Sequence, residues 1–300
     1  MVLAATLALA CDTAELPTLE SDNVCDPPSI EVDLPAGLEE TSGVSASRVH
    51  AGVFWTHNDS GSEPVLFAVD STGAIRGRVR IDSATNRDWE DIARGPCEPG
   101  SSDDCLFIGE IGDNAGRYSN VAVYRIPEPD PAADTVSQPA SIFRFTYPDG
   151  PRDAEALFVT AAGIHVVSKG RSGPIELFRL PPPYHQDSTV AIQRVQRLGP
   201  PPASLSAQAT AAAVDPAGDH VVVRTYAGLR FFQIVGDTLR PHGRAADGIA
   251  AGQLQGEGVD YLDDSRLVLT SESQPGRPPS LLITTCDPTR PPPDTAQAPS

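Results

Sequence analysis

The sequence predicts an all-β chain folded as a β-propeller of five blades, closed by an N-terminal strand that joins the last blade. Three observations carry this reading. Thirty Pro and 25 Gly are scattered through 300 residues, and both residue types disfavour helix interiors. Short runs rich in Val, Ile, Phe, Leu and Tyr alternate with Gly, Pro, Asp and Asn turns, and no long stretch shows capped helical periodicity. Five places also repeat one pattern: a polar residue, a small residue or Asp, then an apolar residue, followed by an apolar strand ending in polar groups.

The first unit opens at Ser42-Gly43-Val44 and continues into VFWTHND (53–59). The second has Glu90-Asp91-Ile92 and LFIGEIGDN (106–114); the third has Glu155-Ala156-Leu157 and IHVVSK (164–169). The fourth and weakest has Thr210-Ala211-Ala212 and HVVVRTY (220–226), and the fifth Glu257-Gly258-Val259 and RLVLTSE (266–272). A third strand follows each pair: PVLFAVD, NVAVYRI, PIELFRL, LRFFQIV and SLLITT. A more variable fourth often comes next, as in AIRGRVRI, SIFRFTY and TVAIQRV. Four strands in roughly 45 to 65 residues is the size of a propeller blade. A twisted sandwich would not predict polar residues at matching points of every unit. The segment 127–139 has room for a further element, which would make six blades.

The fifth unit runs out after its third strand, while SIEVDLP (29–35) precedes the first unit with no blade of its own. Added to the last blade, it closes the ring and covers a raw sheet edge. Antiparallel pairing then sets Cys25 beside Cys286, a closure worth on the order of 4–5 kcal/mol by loop entropy. Cys97 and Cys105 bracket a short polar loop and form a second pair. The fifth cysteine, Cys11, ends the apolar run MVLAATLALA (1–10), too short to span a bilayer. This run resembles the end of a bacterial lipoprotein signal, with Ala8-Leu9-Ala10-Cys11 as the lipobox and Cys11 as the lipidated residue. The expected organisation is a signal peptide over 1–10, a lipidated polar tether over 11–28, the propeller over 29–286, and a disordered Pro-rich tail over 287–300. The location that follows is the cell envelope, anchored by lipid only and facing the periplasm or exterior, where disulfides persist.

The formal net charge is −18, from 40 Asp and Glu against 22 Lys and Arg, of which one alone, Lys169, is lysine. Such acidity excludes non-specific nucleic-acid binding as a default role. Matching positions of the repeat converge on a propeller axis, so Glu90, Glu155 and Glu257 face one another, with Ser42 and Thr210 in the other two places. The ends of the second strands add Asn58, Asp59, Asp113, Asn114, Lys169, Arg224, Tyr226 and Glu272. Close carboxylates repel, and need a cation or raised pKa values to coexist. Three arrangements answer this. Lys169 and Arg224 neutralise the ring as a structural plug; Ca²⁺ binds among the oxygens, with Glu90, Asp113, Glu155 and Glu257 as ligands; or the cluster is a ligand or catalytic site, with Glu155, Lys169 and Arg224 as candidate catalytic groups. No HExxH, GxSxG or phosphate-loop motif is present. Trp55 and Trp89 read as packing between blades, and His57 is the one histidine beside a candidate position.

The phrases DWEDIA, IGDN, DAEAL, RTY and QGEGV resemble those of bacterial exported β-propeller proteins, often lipoproteins, across most of 38–284. These are distantly similar to phytase-like (esterase-like) and other calcium-binding propellers. The resemblance implies an exported propeller whose acidic central pocket binds a ligand or divalent cation. A metal-dependent hydrolase of phosphate or other esters is the alternative, and a protein-interaction scaffold the third. The partner at the axis is then a small molecule or a protein, and the chain a monomer.

Overall fold

The computed structural model describes residues 24–292 except 133, 138, 250–252 and 254. Residues 1–10 and Cys11, read as signal and lipid site, lie outside the described residues, as do residues 293–300.

The chain forms five sheets arranged as blades, antiparallel except that a short parallel strand joins each of two of them. A lone first strand, β1 (Ile30–Asp33), precedes blade one, which holds β2 (Thr41–Ala46), β3 (Val53–Asn58), β4 (Val65–Asp70) and β5 (Ile75–Arg80). Blade two holds β6 (Trp89–Pro96), β7 (Asp104–Glu110) and β8 (Val121–Pro127); β9 (Asp134–Val136) then leaves it, and β10 (Ser141–Thr146) completes it. Blade three holds β11 (Ala154–Thr160), β12 (Gly163–Ser168) and β13 (Ile175–Leu180); β14 (Thr189–Ala191) leaves it, and β15 (Gln193–Gly199) completes it. Blade four comprises β16 (Ala209–Val214), β17 (His220–Thr225), β18 (Gly228–Val235) and β19 (Thr238–Pro241), with β20 (Ala246–Asp247) also on β18. Blade five comprises β21 (Gly256–Tyr261), β22 (Arg266–Ser271) and β23 (Ser280–Thr285), and takes β1 as its outer strand.

Five blades is the number the repeat predicts. The segment 127–139 does hold an element, but no sixth blade: β9 reaches back and pairs parallel with β5, extending blade one. The run TVAIQRV is likewise two strands, since β14 pairs parallel with β10 of blade two before β15 returns to blade three. Each excursion covers the outer edge of the preceding blade and so ties neighbours together.

Burial follows the position of a strand in its blade. Inner strands such as β2 and β21 are buried at every residue, and β11 at all but its last, because both faces are covered. The outer strand β5 alternates, with Gly77 and Val79 inward and Arg76, Arg78 and Arg80 outward. The core is five apolar wedges, each between consecutive blades. Trp55, Leu66 and Val79 of blade one meet Leu106 and Tyr124 of blade two, as expected for Trp55. Phe54 and Phe67 of blade one meet Val268 and Leu281 of blade five, so the ring is continuous. β1 pairs antiparallel with β23, Ile30 opposite Ile283, and the Cys25–Cys286 disulfide stands beside that pair. Cys97–Cys105 closes the neck of the β6–β7 hairpin. The Pro-rich segment is held at its start. The Asp287 amide donates to the Val24 carbonyl at 2.7 Å, the Arg244 amide to Pro288 at 2.8 Å, and Arg290 pairs with Asp26 at 2.7 Å.

Candidate functional site

Every innermost strand carries a β-bulge at the same repeat position. The pairing register shifts between Thr41 and Val44, Trp89 and Asp91, Ala154 and Ala156, Ala209 and Ala211, and Gly256 and Gly258. The extra residues are the repeat's polar ones: Glu90, Glu155, Thr210 and Glu257, with Ser42-Gly43 in blade one. A bulge breaks the alternation of a strand and re-aims the side chain it carries. All five side chains are nonetheless buried; Glu90, Glu155 and Glu257 are 3%, 2% and 5% exposed.

The two hydroxyl members do not face the carboxylates. Ser42 Oγ donates to the Glu90 carbonyl of blade two, and Thr210 Oγ1 to the Gly256 carbonyl of blade five at 2.8 Å. They lock neighbouring inner strands together. Asp91, next to Glu90, does the same more broadly: its Oδ2 accepts the amides of Leu157 in blade three (2.8 Å) and Ala212 in blade four (3.1 Å). Gly43 of blade one presses on it so closely that a Cβ there would sit 2.7 Å from Asp91 Oδ1. The carboxyl of Asp91 thus pins inner strands of several blades to one another.

At the end of the axis where the inner strands begin, seven carboxyl groups gather: Asp59, Asp88, Glu90, Asp153, Glu155, Glu257 and Glu272. The Lys169 ammonium is paired with Glu155 Oε1 and stands 5.9 Å from the centre of the Tyr226 ring. Tyr226 stands beside Glu257, and each carries an electrostatic influence of the other. Burial, then mutual repulsion with Asp59 and Asp153, pushes the Asp88 carboxyl up to about 7. Glu155 is pushed up to about 7 by burial, although Lys169 pulls the other way. Glu272 rises to about 7 through burial and Asp59. Glu90 and Glu257 are held well above the ordinary range by burial, then by Glu155. Burial alone would lower the Lys169 ammonium, but Glu155 outweighs it and the net shift is upward.

Two overlapping triads can each offer oxygens within 4.8 Å of one another: Asp59, Asp88 and Glu90, and Glu90, Asp153 and Glu155. Glu90 belongs to both. Asp153 Oδ2 and Glu257 Oε2 are buried without a hydrogen-bond partner, as is Asn58 Oδ1 next to Asp59. Gly112 of the IGDN phrase makes room for this arrangement, since a Cβ would fall 2.0 Å from Glu90 Oε1 and 2.7 Å from the Asp88 carboxyl.

The structure therefore brings together Asp59, Glu90, Glu155, Lys169, Tyr226, Glu257 and Glu272 from the positions the sequence singles out. Asp113 lies beside them, but its carboxylate accepts the amides of Arg117 (2.7 Å) and Tyr118 (2.9 Å), and it belongs to neither triad. Glu257 also stands outside both triads. Asn114 is exposed and receives the Arg171 guanidinium, while Asn58 Nδ2 donates to Gly37 at 2.8 Å. Arg224 is fully buried and spent on neutral acceptors: the carbonyls of Gly258 (2.6 Å) and Thr270 (2.7 Å) and Gln253 Oε1 (2.7 Å). Burial lowers its guanidinium to about 10. His57 is buried against Trp89, and burial lowers it to about 4, so it is neutral. Asp88 and Asp153 are the site residues the sequence reading passes over. Their signal is present, because DWE and DAE both put an Asp two residues before the repeat's Glu.

No protein-family model matches the chain, and no curated protein matches it. Solved structures do. The PQQ-bound aldose sugar dehydrogenase from Streptomyces coelicolor superposes with a TM-score of 0.50 at 13% identity, over 87% of this chain and 99% of that one. The major Malassezia sympodialis allergen Mala s 1 does so with a TM-score of 0.52 at 10% identity, over 85% and 95%. The likeness is one of fold. It agrees with the propeller built above, and the chemistry rests on this chain's own residues.

Proposed function

We propose that this propeller binds a divalent cation in the acidic pocket at one end of its axis, with Ca²⁺ as the ion its donors suit. The observation that supports this is the pair of buried carboxylate triads sharing Glu90. Lys169 already serves Glu155, which leaves Asp59, Asp88 and Glu90 without a paired cation in their own triad. Ca²⁺ takes roughly six to eight oxygens, and these three carboxylates offer an all-oxygen start to such a set. The two disulfides fit an oxidising compartment, periplasmic or extracellular. Among the described residues no helix is long and apolar enough to cross a membrane. A lipid on Cys11 is the anchor of this reading, and the protein acts as a monomer without nucleic acid.

Calorimetric titration of chelated protein with Ca²⁺ tests it. One ion or more should bind, and Glu90→Gln, which alters both triads, should weaken binding by about tenfold or more. Equal affinity in the variant removes the pocket from consideration.

A second reading is a metal-dependent hydrolase of phosphate or other esters. It draws on Lys169 and Tyr226 standing beside the triads, an anion-holding group next to a cation-holding one. Hydrolysis of generic phosphate and carboxyl esters with Ca²⁺ present should then be lost in Lys169→Met and in Glu155→Gln. Activity that survives both substitutions does not come from this pocket. A protein-interaction scaffold, the third possibility, would leave both assays blank.

A further inference from the structure

At the end of blade four remote from the acidic pocket, two histidines share a cleft. His220 opens β17 opposite Gln233, and the His242 amide, just past β19, donates to the Phe231 carbonyl at 2.8 Å. Gln233 and Phe231 are two apart on β18, so His220, Phe231 and His242 stand on one face of the sheet. The imidazole centroids are 4.7 Å apart and tilted by 44°. Asp215 fixes the first ring: its Oδ2 lies 2.9 Å from His220 Nδ1. Its Oδ1 accepts the amides of Asp219 (2.8 Å) and His220 (3.1 Å), so the carboxylate is itself held. Both rings line a cleft of about 370 Å³ together with Asp264.

A neutral imidazole that donates through Nδ1 presents the lone pair of Nε2, and a carboxylate behind it increases its basicity as a ligand. The His220 ring so held, in contact with the His242 ring, makes a nitrogen donor set, which suits borderline transition ions and not the hard cations that oxygen cages take. All four described cysteines are in disulfides, so thiolates do not compete for such an ion. We propose that His220 and His242 together bind a divalent first-row transition ion, with Asp215 as the positioning residue behind His220.

The test is calorimetric titration of the full chain with Zn²⁺ in saturating Ca²⁺, added to block the acidic pocket proposed above. One Zn²⁺ per chain is expected, with Cu²⁺ tighter and Mn²⁺ much weaker. His220→Ala and His242→Ala should each weaken Zn²⁺ binding by roughly tenfold or more, while His185→Ala on the exposed surface leaves it unchanged. Circular dichroism checks that each variant is folded, and His220→Gln replaces His220→Ala if that variant is not. A chain that takes up no Zn²⁺, or uptake that persists when both histidines are replaced, overturns the proposal.

Discussion

Replacing Lys169 by Met strips the ammonium from a carboxyl that is 2% exposed. Removing one partner of a buried pair costs roughly 3–5 kcal/mol when the other stays charged. Glu155 has an escape, because its carboxyl is pushed up to about 7 and can take a proton. The expected loss in urea unfolding at pH 7.5 is therefore about 2–3 kcal/mol, and smaller at pH 5.5. Adding Glu155→Gln should recover at least half of it; a double variant no better than Lys169→Met would mean that the ammonium acts through another partner. Gly256 makes a second residue-level case. A Cβ there would fall 1.9 Å from Arg224 Nη2 and 2.5 Å from its Cζ. Arg224 has no room to retreat, so the carbonyls of Gly258 and Thr270 would lose their donor, at roughly 1–3 kcal/mol for each buried orphan. Gly256→Ala should then destabilise by about 3 kcal/mol or more, while Gly173→Ala, with open space around it, stays near neutral.

At the scale of elements, what was legible in the sequence was whatever repeats. Five polar-small-apolar triplets marked five inner strands, and the orphan strand SIEVDLP with Cys25 marked the closure. The bulges left no such mark, because an extra residue shows only when two strands are paired; without them nothing separates the hydroxyls of Ser42 and Thr210, which bond to neighbouring inner strands, from true pocket groups. For the same reason Asp91 looked like a neighbour of Glu90 and not like a pin across blades. Strands β9 and β14 were hidden because three residues paired to a foreign blade have no periodicity of their own. Closure itself can be measured. The Cys25–Cys286 link spans 261 residues and Cys97–Cys105 spans eight. Loop entropy then assigns roughly 5 kcal/mol to the first and roughly 2–3 kcal/mol to the second. Cys25→Ala/Cys286→Ala should lower the unfolding free energy by about twice as much as Cys97→Ala/Cys105→Ala. Equal losses would show that β1 pairing with β23 holds the ring shut without the covalent clasp.

The whole molecule balances two opposing sets of buried titratable groups. His57 and His165 are both lowered to about 4 by burial, so the folded chain binds fewer protons there than the unfolded one. Their contribution is present above pH 6.5 and is lost as pH falls through about 4. Asp88, Glu155 and Glu272 are raised to about 7 and act in the opposite sense. They favour the folded chain below about pH 4 and lose that advantage as pH rises through about 7. Between roughly pH 4 and 6.5 the two histidines offset only part of what the three carboxyls lose; above that the histidines have nothing more to add, while the carboxyls go on ionising into mutual repulsion. Chelated protein should therefore show a Tm that falls from about pH 5 toward pH 8. A divalent cation in the triads competes with protons for the same oxygens, so its stabilising effect must grow as the carboxyls ionise. The difference in Tm between Ca²⁺-loaded and chelated protein should be near zero at pH 5 and reach roughly 5 °C or more at pH 8, given about 2–4 °C per kcal/mol for a domain of this size. Scans at both pH values, with and without chelator, measure it directly. A difference that is absent at both, or constant between them, would place any bound cation away from Asp59, Asp88 and Glu90 and return the pocket to Lys169 as an ion-pair plug.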